Sequence, residues 1–201
     1  MPAKGKVSSR EAKGQQTREL LLGAAIAEFK RKGMAAADVG EIVSVAGVAH
    51  GTFFFHFPTK EHVLIELEQR EEERMARELS RFLRKPHDLA ATLTESVRLH
   101  EAIRKRLGSH LFKDFLALHL SATRAQYEEW SAHPVFIVLM DELERARERG
   151  EIASDTDVFH SVLFFIAGLY PLLIGLPETP SMRDPVLEKY VATTLHSMRG
   201  Q

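Results

Sequence analysis

The sequence predicts an all-α protein: an N-terminal three-helix head with a helix-turn-helix, followed by a larger C-terminal helical body. Three observations carry this. Apolar residues recur at helical spacing from Thr17 to Met198, no segment shows the period-two alternation of a half-buried strand, and the breaks fall at glycines and prolines. At 201 residues, 44% hydrophobic and 27% charged, the chain suits one large domain or a small one joined to a medium one.

Residues 1–16 are polar and basic (Lys4, Lys6, Arg10 and Lys13 against Glu11) and read as a basic flexible arm, suited to settling on phosphates. Leu22, Ala25, Ile26 and Phe29 then mark one buried face of a first helix. Gly33 closes it after Lys30, Arg31 and Lys32. Asp38 offers an N-cap, with Glu41 placed as in a capping box, to a short second helix carrying Val39, Ile42, Val43 and Ala46. It stops at Gly47. A third helix starts within about three residues, the turn length of a helix-turn-helix, and runs from His50 to Phe57 before Pro58.

Thr59 is placed to cap a long fourth helix, in which Glu66–Arg70 and Glu73–Arg77 are favourable i,i+4 pairs. Beyond Lys85-Pro86 come further helical stripes, one through Leu89, Leu93, Val97, His100, Ile103 and Leu107. Pro134 opens a helix that ends at Gly150, and Pro185 is expected at the N1 position of the last helix. The stretch "VFHSVLFFIAGLYPLLIGL", 158–176, approaches a membrane span in length. It contains His160, Gly168, Pro171 and Gly175, and is read as a helix buried among other helices.

With no cysteine, a disulfide scaffold, a thiolate metal site and a cysteine nucleophile are all excluded. No apolar leader is visible at the N-terminus, and a cytoplasmic location is expected. Net charge is −1, yet the head's basic residues outnumber its acidic ones, the segregation that phosphate binding needs.

Arg18, Leu22, Ala25, Phe29, Gly33, Ile42, "AGV" at 46–48, "GT" at 51–52, Phe57, Lys60 and Glu61 together resemble the DNA-binding domain of the TetR family of transcriptional regulators. The resemblance spans Thr17 to Leu64, the first third of the chain. It implies a helix-turn-helix DNA-binding domain at 17–64 and an effector-binding and dimerisation domain at 65–201. It further implies a homodimer reading a palindromic operator, and repression relieved by a small molecule. Three positions depart from the family pattern: Ala49 cannot cap the third helix with a side chain, Phe54 lacks a tyrosine hydroxyl for a phosphate, and His56 departs modestly.

On this reading the DNA-contacting residues are Arg18, Val39, Ala49, His50, Gly51, Thr52, Phe54, Phe55, His56 and Lys60. His50, Gly51 and Thr52 meet base edges, and His56 and Lys60 donate to phosphates. Phe53 and Phe57, four apart, face the head's core. Phe54 and Phe55 either pack beneath neighbouring helices or touch thymine methyls and sugars. Candidate liners of a pocket for a small apolar effector are Leu99, His100, Ile103, Leu107, Phe112, Phe115, His119, Trp130, Phe136, Met140 and Phe165. His100 and His119 are core residues or polar anchors. Val162, Ile166, Leu169, Leu173, Leu187, Tyr190, Val191 and Leu195 are expected to form the dimer interface.

No cofactor is expected. The histidines at 100, 110, 119, 133 and 160 fit no standard metal spacing, and no nucleophile–base grouping points to an enzyme. A helical carrier or enzyme for lipid-like molecules, and an architectural DNA-binding protein without effector, are the alternatives.

Overall fold

In the computed structural model, which describes residues 9–118 and 133–199, eight α-helices and no strand occur among the described residues. Three of them build the head: α1 (Ser9–Lys32), α2 (Val39–Ala46) and α3 (His50–His56). α1 starts earlier than the apolar stripe announces, so residues 9–16 of the expected arm are helix. That stretch is rich in Glu, Ala, Lys and Gln, which favour helix without burying anything, and Thr17 Oγ1 bonds the Lys13 carbonyl at 3.0 Å. Gly33, at φ +78°, ends α1, and Gly47, at φ +68°, ends α2. These are left-handed conformations that a side chain resists. Asp38 caps α2 through the Gly40 N–H at 2.7 Å rather than that of Glu41. α3 begins at Ala49 with no side-chain cap.

α4 (Lys60–Phe82) joins head to body. Thr59 does not cap it as expected; its hydroxyl instead lies 3.0 Å from His62 Nδ1. The body holds α5 (Leu89–Leu118), α6 (Pro134–Glu148), α7 (Val158–Gly175) and α8 (Pro180–Met198). α5 is broken at Gly108, where φ is 75° and ψ 169°, so its last turns run in a new direction. α6 and α8 each start with proline, where the missing N–H costs nothing. Pro180 rather than Pro185 holds that place in α8, and Pro185 lies inside the helix.

α5 is the central helix, packed on α4, α8, α7 and α1. α6 lies between α4 and α7. One apolar core runs from Phe29, Phe53 and Phe57 in the head to Leu139, Leu169 and Leu195 in the body. α7 and α8 are clasped by Tyr190, whose hydroxyl donates to the Phe165 carbonyl at 2.5 Å. A Cβ on Gly168 would stand 2.6 Å from that hydroxyl, so only glycine permits the approach. Burial pushes the Tyr190 hydroxyl pKa up to about 12.

Candidate nucleic-acid interface and effector domain

Phe53 and Phe57 are fully buried and pack ring to ring at 5.8 Å, anchoring α3 in the head. With that face inward, α3 must turn His50, Gly51, Phe54 and Phe55 outward, and all four are exposed. Phe55 is 83% exposed and, among the described residues, its one ring partner is its neighbour, the His56 imidazole at 5.1 Å. Phe54 is 46% exposed, edge-on to Phe53 and tilted against His50. Phe55 is therefore not packed beneath a helix, and Phe54 is packed on one side only. Val45 at the end of α2, 75% exposed, extends this apolar surface. Sequence reading missed it because its neighbours Val43 and Ala46 belong to the inward stripe. Ala49 is exposed, and Thr52 and Val39 are half-buried.

The cations assigned to phosphates are bonded within the head. Arg18 donates to the His56 carbonyl and to Glu66, with its guanidinium 4.3 Å over the Phe57 ring. Lys60 Nζ donates to the carbonyls of Ala35 and Ala37 at 3.0 and 3.1 Å. Both are braces, Arg18 fastening α1 to α3 and α4, Lys60 fastening α4 to the α1–α2 turn. His56 is half-buried, and burial first, then Arg18, holds its pKa below the usual histidine value. It is therefore neutral at pH 7. From sequence Arg18 and Lys60 read as free donors; long-range acceptors, invisible in a linear reading, claim them.

Head and body meet at polar contacts besides their shared core, among them the pairing of Arg70 on α4 with Glu19 on α1. The Asp114 carboxylate, on α5 beyond Gly108, accepts the Met34 N–H at 2.6 Å. Phe112 and Phe115 lie on that same segment, stacked at 6.3 Å.

The expected effector liners do not share one space. Leu99 and Ile103 face a crevice against Met75 of α4. His100, one residue further round α5, turns toward α7, its ring 5.8 Å from Tyr170. Phe136 meets Phe159 edge-on at 5.3 Å, and Phe165 stacks on Tyr190 at 5.7 Å. Leu107 is buried and Met140 half-buried. His119 and Trp130 lie outside the described residues. A more open cleft of about 390 Å³ lies between α5 and α8, over Val97, Leu187, Val191 and Leu195.

The body also buries polar residues that its apolar stripes did not announce. Thr92, Ser96, His100 and Arg104 follow one another at four-residue spacing on α5, and all are buried. Glu142, 1% exposed, bonds His87 at 3.0 Å and Arg149 at 2.7 Å. Burial pushes the Glu142 carboxyl pKa up, and those two partners outweigh it, leaving the value below normal. Glu68, Glu72 and His133 bring possible metal-ligand atoms within 4.8 Å of one another. His133 Nδ1 already lies 2.8 Å from Glu72, a bond that ties the start of α6 to α4.

The expected dimer residues face inward. Val162, Ile166, Leu169, Leu173, Leu187, Val191 and Leu195 are buried within the protomer, and Tyr190 is the clasp described above. The stripe that sequence periodicity found is the protomer's own core stripe. The other side of α7 exposes His160, Phe164, Ala167, Pro171 and Ile174, spaced alternately four and three residues apart. Although α7 is long and apolar enough to cross a membrane, 33% of its window is buried in the protomer, less than expected for a helix enclosed by others.

A short, uncapped helix held outward by two buried phenylalanines, behind a turn and a second helix, defines a helix-turn-helix reading head on a helical body. Residues 21–67 match the family described as bacterial regulatory proteins, tetR family. The whole fold is similar to Salmonella enterica GusR (20% identity, TM-score 0.68, covering 98% of this chain and 100% of that one). It is also similar to the fatty acid degradation regulator FadR from Bacillus halodurans (18% identity, TM-score 0.62, 99% and 97% covered). A third similar structure is Thermus thermophilus FadR, a TetR family repressor in complex with lauroyl-CoA (22% identity, TM-score 0.64, 89% and 91% covered). Residues 21–67 thus carry a DNA-binding domain of the tetR type.

Proposed function

We propose that this protein is a ligand-responsive repressor that acts in the bacterial cytoplasm as a homodimer on a palindromic operator and releases it when a small, largely apolar molecule enters the body. The outward row His50, Gly51, Phe54 and Phe55 carries the reading, because α3 has no other reason to expose two phenylalanines. Apolar side chains in a major groove contact thymine methyl groups, so the half-site is expected to be rich in thymine. Positioning on phosphates falls to backbone N–H groups and the residues before Thr17 rather than to Arg18 and Lys60.

The partner protomer covers the row His160, Phe164, Ala167, Pro171 and Ile174, whose alternating spacing is that of a helix seam. Tyr190, Leu187, Val191 and Leu195 support α7 and α8 from behind. Phe164→Glu is expected to give monomers in sedimentation velocity; an unchanged dimer would place the interface elsewhere.

Effector release follows from the Asp114–Met34 bond. Phe112 and Phe115 share the short segment that makes it, so a ligand displacing those rings also moves the end of α1. Tilting the heads shifts the two recognition helices from the roughly 34–36 Å spacing of successive major grooves. Selection of duplexes from a randomised pool is expected to enrich an inverted repeat, and Asp114→Asn to bind it while responding weakly to effector. Recovery of no common sequence would refute operator reading.

A further inference from the structure

The buried row on α5 says what kind of molecule the body takes. Arg104 is only 6% exposed, yet among the described residues its guanidinium has a single carboxylate partner, Glu178, at 2.6 Å from Nη1. Its Nε and Nη2 are buried without an acceptor, and so is the hydroxyl of Ser96, two turns back along the helix. The neighbouring Arg183 shows the contrast. It is 3% exposed and its Nε too lacks a hydrogen bond, but that Nε stands 2.7 Å from the Glu101 carboxylate, and its other nitrogens bond Asp184 at 3.2 Å and the Glu178 carbonyl at 3.4 Å. A buried guanidinium with two idle donors is costly, and an oxyanion resolves it. Nε and one Nη present the side-on fork that a carboxylate fits with two parallel bonds.

Glu178 makes the site exchangeable. Its side chain is 78% exposed on the α7–α8 loop, so it leaves for water at little cost. Between Arg104 and Ser96 stands His100, whose Nδ1 donates to the Ser96 carbonyl at 2.8 Å. The same side of α5 also buries the apolar Leu93 and Leu107.

We propose that the body binds an amphipathic acid, its carboxylate on Nε and Nη2 of Arg104 and its apolar part in the core between α5 and α7. This rests on the effector reading above and adds the anionic head that an apolar stripe cannot reveal.

Isothermal titration with octanoate, dodecanoate and hexadecanoate, each against the primary alcohol of the same length, tests it. At least one acid is expected to bind roughly tenfold or more tightly than its alcohol. Arg104→Met is expected to erase that preference and Arg104→Lys to keep part of it. Glu178→Gln alters an exposed side chain, so the fold is retained, and it is expected to tighten acid binding without changing alcohol binding. Equal affinity for acid and alcohol, no binding of either, or an acid affinity that Glu178→Gln leaves unchanged or weakens overturns the site. Adding the selected operator separates the two ideas. Acid that binds but leaves DNA bound refutes the effector reading and keeps the site; a neutral compound that releases DNA while acids fail to bind does the reverse.

Discussion

The head and the body treat charge in opposite ways. In the head the buried large side chains are apolar apart from Glu28, the basic residues Arg18 and Lys60 lie at its margins as braces onto carbonyls, and the outward surface of α3 is largely phenylalanine. In the body, carboxylates and guanidiniums are drawn inside: Glu68, Glu71, Glu72, Glu142, Arg104 and Arg183 are all buried. A DNA-reading unit must hold one shape, which apolar packing supplies. Buried charges in the body hold elements together and leave places where a ligand's charge substitutes for the protein's own.

The largest expected effect that separates the two is Phe53→Ala. It empties a fully buried site at the centre of the head and is expected to cost about 3–5 kcal/mol. Its neighbour Phe55, changed to alanine, is expected to leave stability within about 0.5 kcal/mol while weakening operator binding. Denaturant titration alongside DNA binding checks both; a Phe55 variant that unfolds early would mean the ring packs in solution.

Next in size is Glu142→Gln. It leaves His87 and Arg149 facing a neutral amide, at an expected cost of about 2–3 kcal/mol. That lies below the figure for a fully buried pair, because Arg149 is 38% exposed. The loss is expected in the unfolding of the body, with operator binding retained at low temperature.

The smallest effect is a pH dependence of opposite sign in the two regions. The bond from His87 to the Lys85 carbonyl raises the pKa of that imidazole, aided by Glu142 and opposed by burial and by Arg149. Its contribution to body stability is full below the unfolded value near 6.5 and is lost as pH rises through the higher folded value. His56 is lowered by burial and by Arg18, so its contribution to the head is present above 6.5 and lost as pH falls through the lower folded value. Acidification from neutrality is therefore expected to loosen the head and tighten the body. Hydrogen exchange at two pH values reads the regions separately, and His56→Gln and His87→Gln are each expected to flatten one slope.

Helices and their breaks were legible in the sequence because they depend on local spacing. Gly33, Gly47, Pro134 and Gly150 each act where they stand. The start of α1 was not, since residues 9–16 are helical without a buried face. The apolar stripes of α7 and α8 were found, but a stripe says that a side is buried, not whether its own chain or a second one covers it. Residues whose roles depend on distant partners were harder still. Arg18 meets Glu66, Lys60 meets Ala35, and Arg104 meets Glu178 across loops that no periodicity encodes. The four-residue spacing of Thr92, Ser96, His100 and Arg104 was the available sign of a polar seam inside α5.

The bond from Asp114 to Met34 spans 80 residues, and this bears on how the protein is made. A ribosome adding about 5–20 residues per second delivers Asp114 roughly 4–16 s after Met34. Within that interval α2 and α3 are synthesised while the last turn of α1 is still unfastened. The nascent reading unit is complete in sequence but unfinished in structure, and the body supplies its final tether.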